Sequence, residues 1–205
     1  MIASQPSARQ FCGGKLDLCY GMNVISTAIS EVLIIEPKVF GDQRGFFLET
    51  FKADRYAAHG IREPFVQDNL SRSARGVLRG LHLQNPRMQG KLVTVLRGEV
   101  RDVAVDVRLG SPTFGQHVGV DLSEENRRQL WVPRGFAHGF VVLSETADVF
   151  YKCDEFYSPS DEITVRWNDP ALGISWGIEK PIISGRDATA PLLADVHGLP
   201  TYGRI

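Results

Sequence analysis

The chain has 205 residues, of which 43% are hydrophobic and 23% charged. That is ordinary globular usage at a length suited to one sizeable domain, so wholesale disorder is excluded. Lys and Arg total 23 against 24 Asp and Glu, a formal net charge of −1, which argues against a nucleic-acid binder held mainly by a basic surface and leaves room for a local basic pocket.

Residues 1–21 differ from the rest. The run Met1-Ile2-Ala3-Ser4-Gln5-Pro6-Ser7-Ala8-Arg9-Gln10 is small and polar, with neither helical nor strand periodicity. We read 1–21 as a disordered or loosely attached leader, native or not, with Met22 as a natural start and 22–205 as a single domain. An arm crossing to a partner subunit is the alternative. The N-terminus lacks the charged start and apolar stretch of a secretory signal. No apolar run approaches the roughly 20 residues that span a bilayer; Val32-Leu33-Ile34-Ile35 stops at Glu36-Pro37. Cys12, Cys19 and Cys153 are too few for a disulfide framework and too scattered for a zinc site. A reducing cytoplasm is the simplest reading; a Cys12–Cys19 bridge is permitted but not demanded.

From Val32 onward the pattern is mostly β. Strands are expected over residues 32–40, 45–51, 65–71 and 77–83, with one short helix over 52–59. Residues 91–97 alternate, Lys91, Val93, Val95 and Arg97 opposing Leu92, Thr94 and Leu96. Gly98-Glu99 then breaks the run, which reads as a hairpin into a strand over 100–108. There Val103, Val105 and Val107 share one side, and Asp102, Asp106 and Arg108 the other. Further strands are expected over 114–122, 129–132, 139–143 and 147–153, with a single helical turn at 123–128. Gly41-Asp42, Gly110-Ser111-Pro112 and Ser158-Pro159-Ser160 mark turns. Many short strands with little helix predict an all-β jelly-roll or sandwich, its tail after Asn168 wrapping the barrel irregularly.

Among the five histidines, His82 and His138 sit on strand candidates. A positioned imidazole serves as a general base near neutrality, though a strand histidine more often satisfies its neighbours. Arg79 precedes His82 by three residues, so strict alternation puts them on opposite faces. Both reach one site only if the strand bulges or ends there. Lys91 shares its face with two valines. An inward lysine needs an anionic partner or a developing negative charge; otherwise it guards an edge strand. Tyr151, alternating with Val149 and Cys153, is either a packed tyrosine or a proton donor. Phe156 and Tyr157 are candidates for stacking on a planar base.

A catalytic metal is not expected. Pro133-x-Gly135-x-x-His138 has the spacing of a second cupin motif, but its usual last position is Val142, and His82-Leu83-Gln84 lacks a second histidine. One or two candidate ligands stand where three or four are needed.

Taken together, several stretches resemble the dTDP-4-dehydrorhamnose 3,5-epimerases, metal-free cupin-like jelly rolls. They are Glu36-Pro37-Lys38-Val39-Phe40-Gly41-Asp42-Gln43-Arg44-Gly45-Phe46-Phe47, Phe65-Val66-Gln67-Asp68-Asn69, Gly76-Val77-Leu78-Arg79-Gly80-Leu81-His82 and Gln89-Gly90-Lys91-Leu92-Val93. Gly98-Glu99-Val100, Ser111-Pro112-Thr113-Phe114-Gly115, Trp131-Val132-Pro133-Arg134-Gly135-Phe136-Ala137-His138-Gly139-Phe140 and Tyr151-Lys152 continue the match in the same order.

The resemblance implies an isomerase acting on a dTDP-4-keto-6-deoxy sugar without a cofactor, inverting C3 and C5 through enolates. By position it makes His82 the base, Tyr151 the acid on the other face, Lys91 the cation at the enolate oxygen and Asp187 the carboxylate that orients His82. Arg44, Glu49, Gln67, Asp68, Asn69, Arg79, His138, Tyr157, Glu162 and Arg186 match nucleotide-sugar-binding positions, Tyr157 as the aromatic stacked on thymine. The segment near Arg44 and Glu49 serves the partner subunit in the family, which implies a homodimer. Two departures stand out: Leu83 where an aromatic often follows the histidine, and Arg134 where an acid is common. Epimerisation at one carbon only, a 3,4-ketoisomerase, a non-catalytic nucleotide-sugar-binding jelly roll and a metal-dependent cupin are the competing readings.

Overall fold

The computed structural model describes residues 21–204. The expected leader, Gly21 aside, and the Cys12–Cys19 question lie outside the described residues. Among the described residues the alternating runs form two antiparallel sheets and a separate hairpin. One sheet holds, in spatial order, β1 (Met22–Ser26), β2 (Leu33–Pro37), β10 (Gln129–Val132), β7 (Lys91–Arg97), β12 (Thr146–Cys153) and β5 (Gln67–Ala74). The other holds β13 (Glu162–Thr164), β6 (Leu78–Gln84), β11 (Phe136–Val142), β8 (Glu99–Asp106) and β9 (His117–Ser123). The hairpin pairs β3 (Val39–Asp42) with β4 (Gly45–Leu48). Val93, Val95, Leu130, Val132 and Val149 of the first sheet meet Val100, Val120, Leu122, Phe136 and Phe140 of the second. This is the jelly-roll architecture expected from the strand count and spacing.

A second apolar layer explains the tail. Val103 and Val105 of β8, with Val107 just beyond it, pack outward against Leu172, Trp176, Leu193 and Leu199 of the C-terminal segment. Asp102 and Asp106 lie opposite those valines, and both are fully buried. The alternating charge therefore marks a strand covered on both sides rather than one with a wet face. Asp106 is stabilised by its partners: Arg108 donates from Nε (2.9 Å) and Nη2 (2.8 Å), and Thr113 from Oγ1 (2.6 Å). Arg108, itself buried, also forks onto Glu31 at 2.7 and 2.6 Å.

Burial alone would push the Asp106 carboxyl up, but its bonds from Arg108, Ser111 and Thr113 prevail and hold it down at about 2. A depressed carboxylate stabilises the fold above its unfolded value near 3.9, and that contribution fades as pH falls toward 2. Asp106→Asn is therefore expected to cost on the order of 2 kcal/mol at pH 7. The gap from wild type should narrow between pH 5 and pH 2, as read from thermal midpoints; a constant gap would contradict the assignment.

Several local expectations are corrected. The hairpin across Gly98-Glu99 does not form. β7 pairs with β10 and β12, whereas β8 pairs with β11 and β9, so the chain crosses between sheets at Gly98. Gly98 has φ +77°, and a Cβ there would lie 2.1 Å from the Thr146 carbonyl oxygen; one residue is a corner, too short for a two-residue hairpin turn. The run 32–40 divides after Pro37, which has no N–H to give a ladder. Residues 114–116 belong to a turn in which Phe114 N donates to Ser111 O, so that strand starts at His117. At 123–128 side chains of Ser123 and Asn126 close a non-helical turn, with Arg127 at φ +50°. The helix over 52–59 forms as α1 (Ala53–Ala57), whose Tyr56 packs with Phe51, Phe65, Leu92 and Trp131 outside the larger sheet. The edge strands β1 and β13 carried too few alternating residues to stand out.

Candidate active site

The condition set by Arg79 and His82 is met by a bulge. Between β6 and β11, His82 faces His138 and Arg79 faces Phe140, three residues against two. Gly80 sits at that step with φ +128°, and a Cβ there would lie 2.6 Å from Gly139 Cα and 2.8 Å from His138 O. Only two facing glycines let the strands approach this closely. Arg79 and His82 consequently line one cavity of about 520 Å3, together with Lys91, His138, Tyr151 and Asp187. An adjoining recess of about 290 Å3 shares His82, Lys91 and Tyr151 and adds Gln67, Asn69, Tyr157 and Glu162.

His82 Nε2 lies 2.7 Å from Asp187 Oδ1, which leaves Nδ1 as the ring nitrogen for a ligand. Asp187 comes from α2 (Gly185–Ala188), a single turn whose cap, Ser184, accepts the Asp187 N–H at 3.1 Å. Burial favours the neutral acid, but the bond and charge of His82 and the Ser184 hydroxyl outweigh it and keep Asp187 below the usual range. The carboxylate is therefore ionised and suited to orient an imidazole and stabilise its cation.

Lys91 begins a central strand, between β10 and β12, so edge protection does not explain it. Its side chain makes no hydrogen bond or ion pair among the described residues. Burial pulls its ammonium below the ordinary lysine range, against the attraction of Cys153, Asp102 and Glu162. Tyr151 projects from β12 on the face of Val149, with no hydrogen bond to the described residues, and burial pushes its phenol up. It thus holds its proton at neutral pH. A cation that makes no direct ion pair and a phenol without an acceptor facing one cavity are arranged for a ligand that brings negative charge.

At the mouth, Glu162 Oε2 accepts from Tyr157 Oη and from Arg186 Nη1, both at 2.6 Å. Gln67 donates to Asn69 Oδ1 at 3.1 Å, and its Oε1 accepts the Tyr157 N–H at 2.9 Å. Arg79 is steadied by Ser73 Oγ at 3.1 and 3.0 Å. His138 Nε2 lies 2.8 and 2.9 Å from the two oxygens of Asp102.

Three predicted residues lie elsewhere. Asp68 is on the other face of β5, paired with Lys152 Nζ at 2.8 Å. Arg44 pairs with Asp42 in the hairpin, and Glu49 with Arg55 at 3.0 Å. None of the three lines the cavity or its recess. Sequence reasoning missed Asp102 and Ser73; the signal for Asp102 was its place opposite the β8 valines, legible only once both faces are known to be covered. Of the two departures, Leu83 belongs to the outer apolar layer that holds Val165 and borders the recess beside His82. Arg134 donates to Asp154 Oδ2 at 3.1 Å, and Asp154 accepts the Gly90 N–H at 2.6 Å, which anchors the start of β7. Among the described residues no group of three or more His, Cys, Asp or Glu side chains is placed to hold a metal ion.

Fold and site together describe a jelly roll with an imidazole, a phenol and an ammonium around one cavity, a set suited to acid–base chemistry. A family model described as dTDP-4-dehydrorhamnose 3,5-epimerase matches residues 26–195, and the chain belongs to that family of isomerases. It is 58% identical over 175 residues to the dTDP-4-dehydrorhamnose 3,5-epimerase of Salmonella typhimurium, covering 84% of this chain and 96% of the relative. The enzyme of the same name from Pseudomonas aeruginosa is 53% identical over 181 residues, covering 87% of this chain and 100% of the relative. A crystal structure of dTDP-6-deoxy-D-glucose-3,5-epimerase from Legionella pneumophila, in complex with dTDP-4-keto-L-rhamnose, superposes with a TM-score of 0.87 at 57% identity. It covers 89% of this chain and 99% of that one. The resemblance and the jelly-roll fold expected from sequence are borne out.

Proposed function

We propose that the chain inverts C3 and C5 of dTDP-4-dehydro-6-deoxy-D-glucose, with His82 as base and Tyr151 as acid. The observation that carries this reading is that His82, Lys91 and Tyr151 line both the cavity and its recess. The C4 ketone acidifies the neighbouring C–H bonds. His82 Nδ1 takes the proton, and Asp187 stabilises the imidazolium that results. The electron pair moves onto the ketone oxygen, where the Lys91 ammonium offsets the growing charge. Tyr151 returns a proton to the opposite face of the same carbon, and both residues re-equilibrate with solvent. No hydride moves, and the product is an isomer of the substrate, so atoms and electrons balance.

Arg79 and Arg186 suit the diphosphate through their forked donors. Tyr157 is about half exposed at the mouth, in reach of a stacked thymine, with Gln67, Asn69, Glu162 and His138 completing the nucleotide-sugar contacts. Arg44 and Glu49 serve the partner's cavity in a homodimer. The hairpin that carries Arg44 shows Phe46 and Phe47 at 60% and 62% exposure, an apolar pair suited to a subunit contact. Cysteine usage favours the cytoplasm, and among the described residues no helix is long and apolar enough to cross a membrane.

Incubation with dTDP-4-keto-6-deoxyglucose in D2O tests this directly. Deuterium is expected at both C3 and C5 by NMR. None at either carbon eliminates the activity, and label at one carbon reduces it to a mono-epimerase.

A further inference from the structure

One fully buried charged group beneath the cavity is not used by the mechanism above. Asp102 lies on β8 with no exposure to solvent. Among the described residues its only side-chain hydrogen bonds are to His138 Nε2, at 2.8 and 2.9 Å. One N–H shared by two oxygens leaves most of the carboxylate's acceptor capacity unused, a costly state for a buried charge unless a cation stands nearby. Lys91 is that cation. It shares the cavity and its recess with Tyr151 of β12, His138 of β11, His82 and Arg79 of β6 and Glu162 of β13, and the charges of Asp102 on β8 and Cys153 on β12 act on it from outside that lining. Of the two carboxylates that act on Lys91, Glu162 is already paired with a full cation, the Arg186 guanidinium, whereas Asp102 has only an imidazole N–H. Asp102 is left as the acid available to balance Lys91.

Resting on the epimerase reading, we propose that Asp102 is a positioning residue with two tasks: it holds His138 by Nε2 so that Nδ1 is presented to the sugar, and it supplies the buried negative charge opposite Lys91. His82 and His138 stand opposite each other across β6 and β11, and each gives Nε2 to its own carboxylate. The cavity thus has two imidazoles oriented alike, one to move protons and one to hold the ligand.

Asp102→Asn tests the charge while keeping the shape, because the amide oxygen still accepts the Nε2–H. Without the carboxylate the Lys91 ammonium gives up its proton more readily. The alkaline limb of the kcat/KM profile is expected to move down by about one pH unit, with kcat at a fixed pH on that limb falling up to about tenfold and KM changing by less than about threefold. A fall in kcat with the limb unmoved would mean a merely structural role and would overturn the proposal, as would an unchanged kcat. Should the variant not fold, the wild type still decides. In 15N-labelled protein, the His138 ring, assigned by its loss in His138→Gln, is expected to carry a proton on Nε2 throughout pH 6–9. A ring with Nε2 unprotonated in that range would refute the pairing. Absence of deuterium exchange in wild type would count against the activity itself, and the ring measurement would stand apart from it.

Discussion

Replacing His82 by asparagine is expected to lower the rate of deuterium incorporation by about 10²–10⁴-fold, the usual contribution of a positioned acid or base. The loss should fall on kcat rather than KM. His82 borders the reacting carbons in this reading, whereas Arg79, Arg186, Tyr157 and Gln67 hold the nucleotide and are untouched. Asparagine keeps a polar group within reach of Asp187, so the buried carboxylate is not left bare, and circular dichroism and dTDP affinity should match wild type. The 2.7 Å bond between His82 and Asp187 sets the direction of transfer: with Nε2 committed, proton abstraction must run through Nδ1. A near-normal exchange rate in the variant would remove His82 from the mechanism, whatever its neighbours suggest.

Gly80→Ala carries the largest expected effect on stability. At φ +128° any Cβ is strained, and here it would also sit 2.6 Å from the Gly139 Cα, a backbone atom with no way to yield except by parting the strands. The expected loss is about 3–5 kcal/mol, or on the order of 10 °C in thermal midpoint. Gly45→Ala provides the control. Gly45 has nearly the same φ, +126°, and a methyl group added there would meet nothing within 4 Å, so it reports backbone strain alone, about 1–3 kcal/mol. If the two variants melted together, the close approach of β6 and β11 would not be what Gly80 secures. Activity should follow stability, because the bulge at Gly80 is what turns Arg79 and His82 toward the same space.

The chemistry-bearing residues were legible because their types and their order along the chain are local properties. Lys91 among valines, Tyr151 in step with Val149, and a histidine closing the Arg79-Gly80-Leu81-His82 strand could each be singled out from a short stretch of sequence. Strand periodicity likewise placed most of the strands, since alternation records which residues share a face. It does not record what covers that face. Alternation sets Asp102 and Asp106 opposite the β8 valines, and it is the C-terminal segment on the valine side that turns the acids inward. Nor does it record which sheet a strand joins. Gly98 reads locally as a hairpin and is in fact a corner between sheets, because partners far along the chain, β10 and β12 on one side and β11 and β9 on the other, compete for the two strands it separates. The sequence by itself determined the strand-rich class and the inventory of acid, base and cation. Only the tertiary structure decided that these meet in one cavity, because ladder partners and buried charges are chosen by contacts between segments that no local pattern encodes.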